Sequence, residues 1–451
     1  MESADVAVIG GGPAGYSAAL KAAELGARVV LIEAERPGGA CVHHACIPTN
    51  IMLGSALAHL EARELSVMGV FEAGDAFHWA RAAARKDALV RKLADGIAAA
   101  LRMRKVQVIE GRAAFRDAHT LAISGQDDLW ADAVIIATGT RWEPPGIPGV
   151  PADRVLTADA VQALPQPPAS AVVLADGPAD TAFGLEYATL LALAGSEVTA
   201  VSPRESMLPA LDPDVAAFVR GSLEATGIRV LEGASIRGEG ESGIRFETAA
   251  GSEVVPAEIV VAADPRRPFF DTLGLAAAGV ATADGIPVGR DCRTNVPNIF
   301  AAGDVTGGAM LTHAATHMGE VAAANATGGD ERTRLAALPH LLHLVPEAGW
   351  VGLSEPAARA LGHDVRTGAF DLSYNARAVV LGAREGIVKV VADSESGQVL
   401  GVHAAGPAAS EILAVASTVI QSELLLEDLA ALVAWHPGTT EALIEAARRA
   451  R

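Results

Sequence analysis

The segment that most constrains the fold lies at the start of the chain and reads DVAVIGGGPAGYSAALKAAELGARVVLIEAE. Its apolar residues predict a short buried strand over 6–9, and its alanine-rich stretch predicts a helix over 16–24. A second run of β-branched residues predicts another strand over 29–32. Strand, glycine-rich loop, helix and strand in this order are typical of a parallel sheet with helices packed on it.

Three glycines in the loop predict what this unit binds. Gly10, Gly12 and Gly15 fit the spacing G-x-G-x-x-G. The first lets the chain turn, the second lets the backbone approach a pyrophosphate, and the third lets helix and strand touch. The diphosphate would meet the free N–H groups at the positive end of the helix dipole. Glu33, at the end of the second strand, is placed to accept a hydrogen bond from a ribose hydroxyl. The segment therefore predicts a dinucleotide site, with NAD and FAD both open.

Composition excludes several other classes of protein. The chain has 451 residues, which predicts two or three domains, and its formal net charge of −19 disfavours nucleic acid or an anionic membrane surface as a partner. Its three cysteines do not make a secreted disulfide framework. No apolar run reaches the length of a membrane span, and no signal peptide is expected before the first strand. We therefore expect a cytoplasmic protein.

Two further motifs help to decide which dinucleotide binds. The sequence NIFAAGDVTGG predicts a short strand that ends at Gly303 and Asp304, and VIIATGT contains Thr138 and Gly139. Asp and Gly by themselves are good turn residues and would suit an ordinary strand end. Together with the first motif, however, the Gly-Asp pair resembles the one that binds FAD in flavoproteins with two dinucleotide sites, where the Asp holds the ribityl chain. VIIATGT resembles the Ala-Thr-Gly motif of the same proteins.

With the segment GGACVHHACIP, these motifs resemble the pyridine nucleotide–disulfide oxidoreductases that carry a C-x4-C pair. Lipoamide dehydrogenase, glutathione reductase and mercuric reductase belong to that family. The resemblance covers essentially the whole chain and implies FAD as the cofactor. It also implies an α/β fold, with two Rossmann-like domains for FAD and NAD(P) and an α+β C-terminal dimerisation domain. The candidate FAD-binding residues are Gly10, Gly12, Gly15, Glu33, Gly39, Thr138, Gly139, Gly303 and Asp304.

The resemblance also implies where the domains begin and end. Residues 1–150 and 282–330 would form a discontinuous FAD-binding domain, interrupted by a nucleotide-type domain at 151–281. Residues 333–451 would form the interface domain of a homodimer, in which the active site is shared between the subunits.

The two cysteines of GGACVHHACIP, Cys41 and Cys46, need an interpretation of their own. In an ideal helix five residues rise about 7.5 Å, which exceeds the limit of roughly 7 Å between the Cα atoms of a disulfide. The segment must therefore be distorted if the thiols pair. Pro48 suits the first turn of a following helix, which would place Cys46 at a helix N-terminus, where the dipole stabilises a thiolate.

Three interpretations of the pair compete. A zinc site built from Cys41, His43, His44 and Cys46 has suitable ligand types, but four ligands within six residues cannot easily converge on one tetrahedron. Two buried thiols would be ordinary for cysteine but fit the flanking sequence poorly. The resemblance favours a redox pair and no metal, in which Cys41 exchanges with the substrate and Cys46 passes electrons to the flavin. His43 and His44 differ from the family's usual residues, and either contact the substrate or fill a surface turn.

A second catalytic element is predicted near the C-terminus. AWHPGTTEALIEAA resembles the family's His-Pro-x-x-x-Glu segment. His436 would be the base that takes a proton from the dithiol, and Glu441 the carboxylate that orients the imidazole. Because the segment lies in the interface domain, the pair would serve the cysteines of the partner subunit. Cys292, far from the pair in the sequence, is interpreted as a buried small side chain.

The chain departs from the family's pattern around the expected nicotinamide site. The replacements are Ala179 and Thr181 for two glycines, Pro265 for a glycine, Phe269 for an asparagine and Asn50 for a lysine. A Cβ at the second glycine position obstructs the approach of a pyrophosphate, and the missing lysine would have paired with Glu186. NAD(P)H binding is therefore doubtful. Arg204 lies where it could contact a 2′-phosphate, so an altered NADPH site stays open.

We therefore expect an FAD-dependent dithiol–disulfide oxidoreductase that oxidises a small dithiol and uses an electron acceptor other than NAD(P)+, such as O2. The alternative is an NAD(P)H-dependent disulfide reductase or a lipoamide dehydrogenase with unusual cofactor contacts. A third hypothesis, of a different class, is a non-catalytic flavoprotein that serves as a redox sensor. The sequence identifies neither the substrate nor the direction of electron flow, which follows from relative reduction potentials.

Overall fold

The computed structural model describes residues 2–70, 72, 74, 76–175, 183–240, 243–263, 266–382 and 385–451. The loop residues Ala179, Thr181 and Pro265, at which the sequence departs from the family's pattern, lie outside these ranges.

The strands of the described residues are, in chain order, β1 (Glu2–Ile9), β2 (Val29–Glu33), β3 (Gln107–Glu110), β4 (Ala113–Phe115), β5 (Thr120–Ile123), β6 (Leu129–Ile136), β7 (Thr140–Trp142), β8 (Val155–Leu156), β9 (Ser170–Leu174), β10 (Glu197–Val201), β11 (Ile228–Leu231), β12 (Ser235–Gly240), β13 (Gly243–Thr248), β14 (Gly251–Val255), β15 (Ile259–Val261), β16 (Arg266–Pro268), β17 (Ile299–Ala301), β18 (His340–Leu342), β19 (Ala348–Gly352), β20 (Val365–Asp371), β21 (Ile387–Asp393) and β22 (Val399–Ala405). The α-helices of the same residues are α1 (Pro13–Glu24), α2 (Gly39–His43), α3 (Cys46–Val67), α4 (Trp79–Met103), α5 (Ala158–Gln162), α6 (Phe183–Leu193), α7 (Pro213–Ala225), α8 (Thr312–Ala326), α9 (Glu355–Ala360), α10 (Ala376–Val380), α11 (Ala409–Gln421), α12 (Leu426–Ala431) and α13 (Thr440–Arg449).

The strand–helix–strand unit predicted at the start of the chain is confirmed. β1 pairs in parallel with β2, with Val6 opposite Val29 and Ile9 opposite Ile32. Helix α1 begins at Pro13, three residues before the predicted start, because proline suits the first helical position, where its missing N–H is not needed. The apolar residues of both strands are buried, as expected for parallel strands covered on both faces.

The chain divides into two compact units, each built from three separate segments. The first unit holds Met1–Met52, Ala80–Glu143 and Arg266–Thr333, and the second holds Leu53–Trp79, Pro144–Pro265 and Arg334–Arg451.

In the first unit a seven-stranded sheet carries the predicted motifs. Its order is β3-β2-β1-β6-β5-β4, with β17 beside β6, and β1 runs parallel to β2 and to β6. The strands β1, β6 and β17 end in register at Ile9, Ile136 and Ala301. Because the carboxyl ends of parallel strands meet at one edge, the three glycine-containing motifs that follow these strands lie along the same edge.

The described residues of the second unit form three sheets. A parallel sheet of order β11-β10-β9-β15-β8 carries α6 and α7, and β12, β13 and β14 form an antiparallel sheet. A second antiparallel sheet, β18-β19-β22-β21-β20, carries α11 and α13. The predicted α/β class, with two nucleotide-type parallel sheets and an α+β C-terminal part, is therefore confirmed. The boundaries 1–150, 151–281, 282–330 and 333–451 stay a prediction.

A buried ionic cluster joins α7 to the C-terminal sheet within the second unit. Lys389 Nζ lies 2.8 Å from Asp212, 2.7 Å from Asp214 and 2.9 Å from Glu355. Asp212 caps the N-terminus of α7, and its N–H donates to His403 Nδ1 at 3.0 Å. The cluster fixes the start of α7 on β21 and β22.

Candidate active site

The glycine loop between β1 and α1 has the close packing that its spacing predicts. A Cβ on Gly15 would lie 1.8 Å from the carbonyl oxygen of Gly10, so only glycine lets α1 approach the loop here. The N–H of Gly11 donates to Glu33 Oε2 at 2.5 Å and holds that carboxylate against the loop. Within the described part of the chain, no side chain caps α1 at Gly12, so its first N–H groups can bind a phosphate.

The turn between β2 and α2 lies across the same glycine loop. The N–H of Gly38 donates to the carbonyl oxygen of Gly11 at 2.8 Å, and a Cβ on Gly39 would lie 2.5 Å from the Cα of Gly12. Gly39 therefore lies beside the residues of the first motif.

The second and third motifs meet the sheet at the same edge. The hydroxyl of Thr138 donates to the carbonyl oxygen of Phe269 at 2.5 Å, and the N–H of Phe269 donates to the carbonyl of Gly139 at 2.8 Å. Gly303 follows β17, and a Cβ on it would lie 3.0 Å from the Cβ of Ala14 in α1. These contacts lie within the protein, so the roles of Thr138 and Gly139 in FAD binding stay a prediction.

Asp304 is paired with a residue that sequence reasoning missed, Arg266. The guanidinium Nη1 lies 3.3 Å from Asp304 Oδ2, and the same group lies 3.4 Å from the carbonyl oxygen of Met310 and 5.6 Å from the centroid of the Trp142 ring. Burial raises the pKa of Asp304, and the positive charge of Arg266 acts in the opposite direction. This edge of the sheet therefore holds a partly buried carboxylate whose charge is partly balanced by Arg266.

The two cysteines lie on different helices. Cys41 is in α2, which ends at His43, and Cys46 is the first residue of α3, so the segment is broken between them as predicted. Pro48 lies in the first turn of α3, which confirms the predicted helix start. Both cysteines are free thiols in this structure, and their side chains are hydrogen-bonded to each other.

The surroundings of the pair make the two sulfurs unequal. The hydrogen bond from Cys41 is the main cause that lowers the pKa of Cys46 to about 6, although burial acts in the opposite direction. The hydroxyl of Thr312, 3.4 Å from Cys46 Sγ, and the charge of Arg266 lower this pKa further. The same hydrogen bond and burial raise the pKa of Cys41 well above its ordinary value. Cys46 is therefore the thiolate of the reduced pair, and Cys41 is the thiol.

Thr312, like Arg266, was not predicted. It is the first residue of α8, in the segment that follows the Gly-Asp motif, and a threonine at a helix start is usually interpreted as a cap. Its hydroxyl is instead directed at Cys46. Arg266 was visible only as part of an altered motif.

His436 and Glu441 form the pair that their spacing predicted. Nδ1 of His436 lies 3.1 and 3.2 Å from the two carboxylate oxygens of Glu441, which also accepts the N–H of Gly438 at 3.0 Å. The Gly438 N–H, and then the imidazole, lower the pKa of Glu441. The side chain of His436 is 71% exposed. The imidazole is thus oriented by a carboxylate, with Nε2 left to act as a base.

In the family's pattern a lysine pairs with a glutamate; here Asn50 and Glu186 occupy these two positions, and each bonds a different partner. The amide of Asn50 donates to the carbonyl oxygen of Cys46 at 2.8 Å, one helical turn before it. Glu186 is buried, and it accepts the N–H of His343 at 3.0 Å. The family's cation is therefore replaced at this position by a neutral side chain that bonds its own helix.

The sequence and fold match those of known proteins over nearly their whole length. The model of the family described as "Pyridine nucleotide-disulphide oxidoreductase" matches residues 4–319. The model of the dimerisation domain of the same family matches residues 338–447. The chain belongs to the pyridine nucleotide-disulphide oxidoreductase family. Members of this family use FAD, and the chain is a flavin-dependent oxidoreductase that acts on sulfur groups.

Relatives and solved structures agree with this family. The chain is 34% identical to a dihydrolipoyl dehydrogenase of Bacillus subtilis, over 98% of this chain and 97% of that protein, and 36% identical to one of Halobacterium salinarum, over 99% and 96%. The fold is similar to the HOCl-induced flavoprotein disulfide reductase RclA from Escherichia coli, with a TM-score of 0.86, 25% identity and coverage of 99% and 100%. It is also similar to LpdA from Mycobacterium tuberculosis, with a TM-score of 0.88, 28% identity and coverage of 100% and 99%.

The residues at the edge of the first sheet fit FAD. The uncapped N-terminus of α1 suits a diphosphate, and the glycine backbones at Gly12 and Gly39 leave no side chain above it. Asp304 is a partly buried acceptor at the same edge, and the charge of Arg266 acts both on it and on Cys46. The described residues contain no group of three or more His, Cys, Asp or Glu side chains that could hold a metal ion. Among the same residues, no helix is both long and apolar enough to cross a membrane.

Proposed function

We propose that this enzyme oxidises a small dithiol to its disulfide and uses an electron acceptor other than NAD(P)+. The observation that carries this proposal is Asn50: it occupies the position of the family's lysine, and its neutral amide donates to the carbonyl oxygen of Cys46. The sequence departures at Ala179, Thr181 and Pro265 support the same conclusion, because they alter the loops expected at the nicotinamide.

In the proposed half-reaction the substrate reduces a Cys41–Cys46 disulfide. A substrate thiolate attacks the sulfur of Cys41, and the electron pair of the broken S–S bond leaves on Cys46 as a thiolate. The second substrate thiolate attacks the substrate sulfur of the mixed disulfide, which releases the product disulfide and leaves Cys41 to take up a proton. Bound FAD supplies the two-electron acceptor for the reduced pair, and dioxygen, which becomes hydrogen peroxide, is the terminal oxidant proposed.

His436 is the proposed base for the substrate thiols. Its Nε2 takes a proton in each round, and Glu441 holds the ring and stabilises the imidazolium that forms. The FAD-binding residues proposed are those at the edge of the first sheet: Gly10, Gly12, Gly15, Glu33, Gly39, Thr138, Gly139, Gly303 and Asp304.

A homodimer would bring His436 to the cysteines of the other subunit. The C-terminal part of the chain exposes large apolar side chains around the histidine segment, namely Tyr374, Val379, Val380, Leu381, Val433 and Trp435. Apolar groups concentrated on one part of a surface mark a protein interface, and residues 338–447 match a dimerisation domain.

Mixed dimers test the shared site: Cys41→Ser and His436→Gln proteins are each expected to be inactive alone and to regain activity when their subunits are exchanged. If each active site were built from a single chain, the mixed dimers would not regain activity.

Anaerobic visible spectroscopy of the holoenzyme tests the proposed direction. The protein is mixed separately with NADH, NADPH and dihydrolipoamide. Bleaching, or a long-wavelength thiolate–flavin band, is expected with the dithiol and not with either nicotinamide. Admission of air should then restore the oxidised spectrum and yield one equivalent of hydrogen peroxide. Cys46→Ser should abolish reduction by the dithiol, and Cys292→Ser, a change at a buried thiol remote in sequence, should not.

A lipoamide dehydrogenase is the second candidate, because relatives of that name match nearly the whole chain. Rapid reduction of the flavin by NADH in the same experiment would establish it and overturn the proposal of a different acceptor.

A further inference from the structure

His43 makes a contact that none of the proposed roles uses. Its Nε2 lies 3.1 Å from the carbonyl oxygen of Pro37, so the imidazole at the end of α2 reaches back over the turn that precedes the helix. A Cβ on Gly38 would lie 3.0 Å from this nitrogen, which shows how closely the ring covers the turn. A histidine can donate such a hydrogen bond in both its neutral and its protonated form.

The other side of this turn rests on the glycine loop. Gly38 donates to the carbonyl of Gly11, and Gly39, at a φ of +58°, packs its Cα on the Cα of Gly12 with no room for a Cβ. Helix α2, with Cys41 at its centre, is thus held at its start by the glycine contacts and at its end by His43. Without the imidazole, the end of this short helix would lose its hydrogen bond to the carbonyl of Pro37.

We propose that His43 is a positioning residue for FAD binding. Its hydrogen bond to Pro37 holds the 35–39 turn, and with it Gly39, against the loop that receives the diphosphate. The inference rests on the FAD-binding residues proposed above and does not depend on the electron acceptor. It decides between the two interpretations of His43 that the sequence leaves open, in favour of a role in the turn.

The affinity of the full-length apo-protein for FAD, titrated by the quenching of flavin fluorescence, tests this inference. His43→Leu should raise the Kd for FAD roughly five- to tenfold, because a factor of this size corresponds to the free energy of one ordinary hydrogen bond. His43→Gln, whose amide can still donate to Pro37, should bind FAD nearly as well as the natural protein. In His43→Asn the side chain is too short to reach the carbonyl of Pro37, so this variant should bind FAD as weakly as the leucine variant. It shows whether the loss in His43→Leu comes from the missing hydrogen bond or from a fold disturbed by leucine. His59→Leu, a change on α3, is the matched control and should leave the Kd unchanged.

Gly39→Ala separates a failure of this inference from a failure of the FAD assignment. A Cβ at Gly39 would meet the glycine loop, so this variant should lose FAD affinity strongly if the assignment holds. An unchanged Kd in His43→Leu and His43→Asn, beside a raised Kd in Gly39→Ala, would overturn the role of His43 alone. An unchanged Kd in all three would overturn the FAD assignment as well. Equal losses in His43→Gln and His43→Leu would also contradict the proposed hydrogen bond.

Discussion

The hydroxyl of Thr312 lies 3.4 Å from the sulfur of Cys46, and each of the two residues begins a helix. A helix N-terminus favours a thiolate through its dipole. A hydroxyl that donates to the sulfur favours the same charged form. The two effects combine at the sulfur whose pKa lies near 6.

Thr312→Val should therefore raise the pKa of Cys46. The hydrogen bond stabilises the thiolate, so its loss moves the midpoint of the charge change upward from about 6. The rate of iodoacetamide alkylation of the reduced protein, followed by mass spectrometry against pH, reports this midpoint. The variant should react more slowly between pH 5.5 and 7 and equally fast above pH 9. Thr327→Val, whose hydroxyl bonds the far end of α8, is the control; identical profiles for all three proteins would contradict the assignment.

Glu441→Gln should slow the reduction of the enzyme by a dithiol. The amide keeps the shape of the carboxylate but cannot stabilise an imidazolium, so we expect a loss of roughly 10- to 100-fold in the stopped-flow rate. Glu445→Gln, one turn along α13 and paired with Arg448, should retain the natural rate. An equal loss in both variants would indicate a general disturbance of α13.

Lys389→Met should destabilise the fold by about 3 kcal/mol at neutral pH, because it leaves buried Asp212 without its cation. Burial lowers the pKa of Lys389, but hydrogen bonds to three carboxylates outweigh it and raise this pKa. The contribution of Lys389 is therefore complete below its ordinary pKa of 10.5 and is lost as the pH rises beyond it. At acidic pH the lowered pKa of Glu355 has the corresponding effect: the contribution of Glu355 to stability is lost as the pH falls below 4.5. Urea unfolding from pH 4 to 11 measures the difference, and Lys21→Met, at a partly exposed ion pair, should cost less than 1 kcal/mol, within the range of ~0–1 kcal/mol for such pairs.

His403 adds a separate dependence on pH to the same cluster. Burial lowers its pKa to about 4, so the neutral imidazole stabilises the fold above pH 6.5 and this contribution is lost as the pH falls towards 4. We expect the free energy of unfolding to decrease over this range. A His403→Gln protein should show a flatter profile there; a profile as steep as that of the natural protein would rule out this histidine as the cause.

Gly15→Ala should lower the free energy of unfolding by about 3 kcal/mol, as expected when a close-packed contact is overfilled. The added Cβ would lie 1.8 Å from a backbone oxygen of Gly10, which no side-chain rotation relieves. Gly54→Ala is the matched control, because it lies inside α3 with open space around it and should be neutral or slightly stabilising. Thermal melting of the two proteins compares them directly, and similar melting temperatures would contradict the packing described for α1.

The elements that could be predicted are those with signals inside a short segment. The spacing of Gly10, Gly12 and Gly15 and the following Glu33 predict the first strand–helix–strand segment correctly, because all of these residues lie within one short stretch of the chain. Pro48 predicts the start of α3 for the same reason. His436 and Glu441 are only five residues apart, and the pair follows from the resemblance of this segment to the family's His-Pro-x-x-x-Glu motif.

The contacts that tune Cys46 could not be predicted in this way. Thr312 is 266 residues away in the chain, and neither it nor Arg266 has a local pattern that points to a cysteine. Thr312 follows β17 and Arg266 lies in β16, so the folding of distant segments of the first unit brings them to Cys46. The hydrogen bond from Asn50 to the carbonyl of Cys46 was likewise not foreseen, since the sequence shows only that a lysine is missing.

The bond between Lys389 and Asp212 joins positions 177 residues apart. Contacts of such long sequence separation require large loops to close before they contribute, and they therefore form late in folding. A native contact that is absent from the transition state slows unfolding without speeding folding. The Lys389 cluster is thus expected to set how long the second unit stays folded once it has formed, and Lys389→Met should shorten that lifetime while leaving the refolding rate nearly unchanged.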